Sequence, residues 1–332
     1  MLGELFMFDL GLDIHASFGK HRYGWNWVVS QLAQKYHSPA SAIRVLSFVE
    51  KDVLFQGPHS DFYPLPSIRK PWVGIFHLPP SVPLHISFTH QLNRFNTEPA
   101  LKNFLQNCVG FVSLSDHLTS FLQQNILPNR PCLTLLHPTP YTSPEFSLTE
   151  FQEFFRNSRR VRIAQLGFWL RKHHVIHRLK SYCPARIDAF HVGINNPHQS
   201  RSMLLDLSLN DVAVNPAVFM TSNLSDRHYD RLLSTSVGIL PLYDTSANNS
   251  LVECIERATP VIASRHPAVI QYLGADYPLY YDDESDLPHL LSDSQFIAKV
   301  GHAYEYLRER RALKSLCITT FSDTLNEFIE AL

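Results

Sequence analysis

The stretch from Val237 to Gly274 limits what this chain can fold into more than any other. A short apolar run, Val237–Leu242, stops at the polar, turn-prone segment Asp244-Thr245-Ser246-Ala247-Asn248-Asn249. A helix-like segment, Ser250–Arg257, follows, and a second apolar run, Pro260–Ser264, comes directly after it. Strand, polar loop, helix and strand at this spacing make a βαβ unit. The start of such a helix turns free N–H groups and the positive end of its dipole toward whatever lies above the strand ends. An anion such as a diphosphate is the usual guest there. Asn249 or Ser250 can cap the helix, and Glu253 lies one turn further in.

The rest of the chain repeats the alternation. Strands are expected at Leu5–Leu10, Ile43–Val49, Trp72–Phe76, Val109–Leu114 and Cys132–Leu136, with helices from Gly24 to Tyr36, near Pro99–Asn107 and over Ser115–Gln124. This pattern argues for a doubly wound sheet. His77 ends one of these strands and is followed by Leu78-Pro79-Pro80, which can continue neither strand nor helix. The aperiodic, proline-rich His137–Ser147 reads as an interdomain linker. Beyond it come strands at Arg162–Leu166, Arg186–Val192 and near Val212–Met220, a helix over Asp226–Ser234, and two closing helices, Phe296–Leu313 and Ser322–Leu332.

The run LVECIERATPVIASRHPAVIQYLG, from Leu251 to Gly274, resembles the C-terminal signature of GT-B glycosyltransferases, above all the retaining family 4 type. The resemblance is clear over Arg160–Gly274 and only topological before that. It implies an α/β chain of two Rossmann-like, doubly wound domains facing each other across a cleft. Residues 1–140 would bind the acceptor and residues 148–332 the nucleotide-sugar, and the last helix could cross back. Glu253 falls on the second glutamate of the family's motif, which grips the donor ribose. Eight residues earlier, where the family carries its first glutamate, stands Thr245, with Asp244 one position away.

The same resemblance gives roles to other residues. Arg171 and Lys172 stand where the family keeps a basic pair to neutralise the departing diphosphate, a task like that of an oxyanion hole. Asn248, Asn249, Ser250 and Leu251 would meet the β-phosphate or donor sugar. His77 would contact the transferred sugar or orient the acceptor. His15 and His21, in the first strand-to-helix loop with Lys20 and Arg22, are further candidates for a catalytic base. Each feature also has a plain reading: a solvated glutamate, a basic helix face, an Asn-Asn turn, a histidine satisfied by a carbonyl.

Composition excludes several classes. The 332 residues carry a formal net charge of −1, so no field favours nucleic acid or an anionic membrane. No stretch reaches the roughly 18 apolar residues of a spanning helix. The opening residues have neither a basic n-region nor a small-residue cleavage site, so no secretion signal is expected. Five scattered cysteines read as buried thiols in a reducing cytosol. A cytoplasmic location is expected, with peripheral membrane association left open.

No metal site is expected. His173 and His177 have no HExxH glutamate between them, and Asp282-Asp283-Glu284 suits a helix cap. The expected activity is sugar transfer from a nucleoside-diphosphate sugar to a glycan, lipid-linked sugar, protein or small molecule. It needs no metal or cofactor, the nucleotide-sugar being the donor substrate, and retention of configuration is the preferred outcome. The rivals are a non-catalytic GT-B-shaped partner or regulatory protein, and a sugar-nucleotide epimerase.

Overall fold

The computed structural model describes residues 7–11, 24–54, 70–140, 144–183, 186–194, 196–221 and 224–332. The first sheet contains β1 (Arg44–Leu46), β2 (Trp72–Phe76), β3 (Cys108–Ser113) and β4 (Cys132–Thr134), in that spatial order and all parallel. Asp9 adds an isolated bridge to Arg44 at its β1 edge, and Phe8 bridges to His37 beside it. The second sheet contains β5 (Val161–Leu166), β6 (Ile187–Val192), β7 (Val218–Thr221), β8 (Val237–Leu240), β9 (Val261–Ser264) and β10 (Tyr280–Tyr281). Its order is β10-β9-β8-β5-β6-β7, again all parallel. Both sheets are covered by helices, which is why β2 and β8 are unbroken apolar runs buried at every position.

In the second sheet the third strand lies outermost, the first lies centrally, and the fourth returns to its other side. This is the doubly wound dinucleotide-binding order, with its switch point between β5 and β8. Ligands in such sheets bind outside the carboxyl ends of the strands at that point, so the topology fixes where to look.

The last helix, Ile318–Glu330, leaves the second half and packs on the first sheet. Phe321, Leu325 and Ile329 share a core with Val28, Leu32, Val73 and Val112. Each such side chain contributes about 2 kcal/mol by burial. The helix approaches β3 closely because Gly110 has no side chain: a Cβ there would lie 2.9 Å from Leu332. Asp323 pins the helix further, accepting from the Tyr36 hydroxyl and Lys35 at 2.6 Å each.

Several expected boundaries move. The strand expected over Ile43–Val49 ends at Leu46, and Val49–Val53 is a short helix. Near Val212–Met220 only Val218–Thr221 pairs. The helix expected over Ser322–Leu332 starts earlier, at Ile318. The linker is pinned at both ends, with Thr139 N–H on the Leu316 carbonyl and Phe146 N–H on that of Arg257. All five cysteines are free, but only Cys108 and Cys254 are buried and Cys317 is exposed. Among the described residues no helix is long and apolar enough to cross a membrane.

Candidate functional site

A cleft of about 380 Å³ opens between the carboxyl ends of the two sheets. On the second-sheet side it is lined by Gly167–Arg171, which follow β5, and by Asp244–Ser250, which follow β8. These are the two segments that the switch point brings together. Gly167 makes the turn off β5 at φ +79°, a backbone region that side chains resist. A Cβ there would sit 3.1 Å from the Arg171 guanidinium and 3.2 Å from the Ser250 hydroxyl, so glycine also leaves them their room.

Arg171 is almost fully buried in this wall. Its Nε donates to the Leu166 carbonyl at 2.8 Å and Nη1 to that of Trp169 at 2.7 Å. Nη2 donates to Asn248 Oδ1 at 3.0 Å and to the Ser250 hydroxyl at 3.1 Å. Every acceptor is neutral. Among the described residues no carboxylate lies within ion-pair distance of it. Burial alone lowers its pKa, to about 10, so it remains a cation at neutral pH. A buried cation without a counter-ion is costly and marks a place where an anion would be stabilised.

Asn248 caps the helix Asn249–Glu256, its Oδ1 accepting from Leu251 N–H at 3.2 Å. Among the described residues the N–H groups of Asn249 and Ser250 meet no acceptor, as expected for a first helical turn. The expected residues therefore divide. Arg171, Asn248, Asn249 and Ser250 line the cleft. Leu251 faces the core and its N–H is spent on the cap. Lys172 turns away from Arg171 to bond Glu284 at 2.9 Å. Burial opposes ionisation of Glu284, yet hydrogen bonds from His174 and Lys172 hold it down to about 2. Glu253 lies behind the cleft wall, and its Oε2 accepts from the Tyr229 hydroxyl at 2.5 Å.

The opposite wall comes from the first sheet and consists largely of rings. His77, at the end of β2, lies edge-on to Trp25 with centroids 4.3 Å apart and against Phe48 at 4.2 Å. Its Nε2 bonds the Ser47 carbonyl at 2.9 Å, which places the ring proton there and leaves Nδ1 as an acceptor. Burial, with His137 nearby, lowers its pKa to about 3, so it is neutral and a weak base. Trp25, Phe48, His90, His137 and Trp169 also line the cleft and were not anticipated, since nothing in their spacing distinguishes them from core residues. His15 and His21 lie outside the described residues.

Asp244 spans the two walls. Its Oδ1 accepts from Thr245 N–H at 2.7 Å and bonds His117 at 3.0 Å and His266 at 2.9 Å, while Oδ2 accepts from Ser81 N–H at 2.7 Å. Burial raises its pKa, but these bonds outweigh it and hold the carboxyl well below the usual range. The ligand atoms of His117, Asp244 and His266 lie within 4.8 Å of one another, close enough to suggest a metal site. However, His266 Nδ1 accepts from Ala268 N–H, so its Nε2 carries the proton toward Asp244 and has no lone pair for a metal. The cluster fits hydrogen bonding better than coordination. Asp283, one of the acidic trio of the sequence, caps a short helix by accepting from Ser285 N–H.

No protein-family model matches the sequence, and neither does any curated protein. Solved structures do match the fold. A sucrose-phosphate synthase from Thermosynechococcus elongatus superposes with a TM-score of 0.61 at 14% identity, over 80% of this chain and 68% of that one. HepE from Anabaena, in complex with UDP-glucose, gives 0.59 at 13% identity, over 80% and 73%. An α,α-trehalose 6-phosphate synthase from Burkholderia multivorans gives 0.53 at 11% identity, over 80% and 67%. With its two parallel-sheet domains and interdomain cleft, the chain has the GT-B fold.

Proposed function

We propose that the protein is a glycosyltransferase that takes a sugar from a nucleoside-diphosphate sugar and passes it to an acceptor held against the first sheet. The observation that carries this reading is Arg171, a buried guanidinium without a carboxylate partner among the described residues, beside the open N–H groups of Asn249 and Ser250 at the switch point. As the bond from sugar C1 to the phosphate oxygen breaks, the electron pair and the charge go to the diphosphate. The cation and helix terminus lie where that charge would grow. They supply the neutralisation that a divalent ion gives in other sites, which supports a metal-independent reaction. His77, neutral and offering Nδ1, orients a hydroxyl; its low pKa makes it a poor sink for the acceptor's proton, so as the acceptor oxygen bonds C1 that proton passes to the departing diphosphate oxygen. Glu253 does not line the cleft, so it would meet a ribose only where the nucleotide extends beyond it, and then through Oε1, since Tyr229 occupies Oε2.

HepE binds UDP-glucose, so the uridine donors come first in the test. In thermal denaturation against UDP, GDP, ADP and TDP and their sugars, one diphosphate is expected to raise the melting temperature with rising concentration. Asn249→Asp supplies the control. A carboxylate in the first helical turn stabilises the free protein slightly but repels the diphosphate, so the ligand shift should vanish while the fold persists. If no nucleoside diphosphate moves the curve, the donor reading fails and a non-catalytic partner becomes the better account.

A further inference from the structure

The loop after β2 is clamped at both ends by carboxylates from different halves of the molecule. At its base, Glu50 Oε1 accepts from the N–H groups of His77 at 2.8 Å and Leu78 at 2.7 Å. Pro79 and Pro80 then stiffen the chain. At its tip, Ser81 N–H donates across the cleft to Asp244 Oδ2. His77 therefore rides on a rigid arm whose far end is fastened to the opposite wall.

Asp244 also opens the loop that leads to the capped helix Asn249–Glu256. Besides Ser81 it takes a second first-domain contact, from His117 on the helix Asp116–Asn125. The remaining two, Thr245 N–H and His266, come from its own half. Both carboxylate oxygens are thus occupied by protein groups.

We propose that Asp244 is a closure latch and a positioning residue, coupling the arm that carries His77 to the loop that holds the donor-binding helix. Although it lines the cleft, its oxygens are engaged by protein groups, so it acts through the segments it joins. Opening the cleft breaks the bonds from Ser81 and His117 and leaves the carboxylate with its two same-side partners. Closing it restores them and sets His77 opposite the helix terminus. Tyr272 makes a separate set of cross-contacts, accepting from His137 N–H and donating to the Leu114 carbonyl, beside the point where the chain crosses between halves. Those bonds join the halves near the linker, whereas Asp244 joins them through the His77 arm.

The role in turnover rests on the glycosyltransferase reading; the latch itself does not. The test combines small-angle X-ray scattering of the full chain, with and without UDP, with UDP affinity and the rate of UDP release from UDP-glucose. Asp244→Asn and His117→Ala, which cut cross-cleft bonds, should both enlarge the radius of gyration of the free protein. Lys172→Ala, which cuts a bond within the second half, to Glu284, should scatter like the wild type. His266 is unsuited to this control because its ring also packs on His117 across the cleft, with centroids 4.8 Å apart. The two opening variants should keep UDP affinity within about threefold while turnover falls about 100-fold, because misplacement by an ångström is enough for such a loss. Wild-type scattering from both opening variants overturns the latch. If the wild type neither binds UDP nor releases it from UDP-glucose, the ligand arm moves to whichever nucleoside diphosphate raises the melting temperature; if none does, the donor reading alone fails, and the scattering still decides the latch.

Discussion

Above the second sheet the cleft presents N–H groups and a guanidinium, with the Phe168 and Trp169 rings and the Asp244 carboxylate beside them, while above the first it presents rings and the neutral His77 imidazole. Each wall follows from its strand ends. Where β5 and β8 diverge, glycine, a capped helix and Arg171 concentrate positive potential. Where β2 ends, proline forbids regular structure and the aromatic side chains of Trp25 and Phe48 close over His77. One wall is suited to an anion and the other to an uncharged, hydroxyl-bearing ring. A two-substrate reaction needs that asymmetry, because the leaving group gathers charge and the acceptor does not.

The largest expected effect lies beneath the second-sheet wall. His173, His177 and His191 are packed there, with His173 Nδ1 3.0 Å from His191 Nε2. Burial lowers His173 and His177 to about 4, and it lowers His191 well below its ordinary value as well. Between pH values of about 6.5 and 4 the unfolded chain binds protons that the folded one refuses, so stability falls as pH falls. It is fully regained above that window. His173 and His177 should each cost at most about 3 kcal/mol at its acid end. Urea denaturation at a series of pH values measures this, and His191→Gln should flatten the acid branch. A branch of unchanged slope in the variant would mean that the acid loss arises elsewhere.

Next in size is Arg171→Met, which should weaken UDP binding about 100-fold, the loss expected for a charge-assisted contact. Calorimetric titration of a variant shown to be folded checks it. An unchanged affinity would remove the contrast between the walls. His77→Phe sharpens the contrast from the other side: UDP affinity should hold while turnover drops about tenfold, the worth of one hydrogen bond. A loss of UDP affinity instead would move His77 to the donor wall. Smallest is Glu253→Gln, for which one weakened ribose contact should cost about fivefold in UDP affinity. An equal loss in Tyr229→Phe would show that the pair acts together.

What the sequence made legible depended on range. β2 matches its apolar run residue for residue, because an unbroken apolar pentapeptide between turn signals has few other homes. The helix after β8 was visible for the same local reason, but its cap is Asn248 rather than the expected Asn249 or Ser250. It starts one residue earlier because in an Asn-Asn-Ser run the side chain that meets the N–H three positions on is set by the turn before it. The helix Leu148–Ser158 was missed because Ser147, which caps it, closes a proline-rich stretch that reads as linker. Apart from Leu251, whose N–H is taken by the neighbouring cap, the partners that redirect the expected site residues are distant. Lys172 is claimed by a glutamate 112 positions away, and Asp244 by a serine 163 positions before it. Spacing along the chain holds no information about such pairs; only the closed arrangement of the two sheets does.

The helix Ile318–Glu330 carries a consequence for the order in which the protein is made. Synthesis runs from the amino end, and domains that are contiguous in the chain can fold while the remainder is still being added. Here the core of the first sheet includes Phe321, Leu325 and Ile329, so its apolar face stays partly uncovered until those residues have left the ribosome. The half that begins first is completed last.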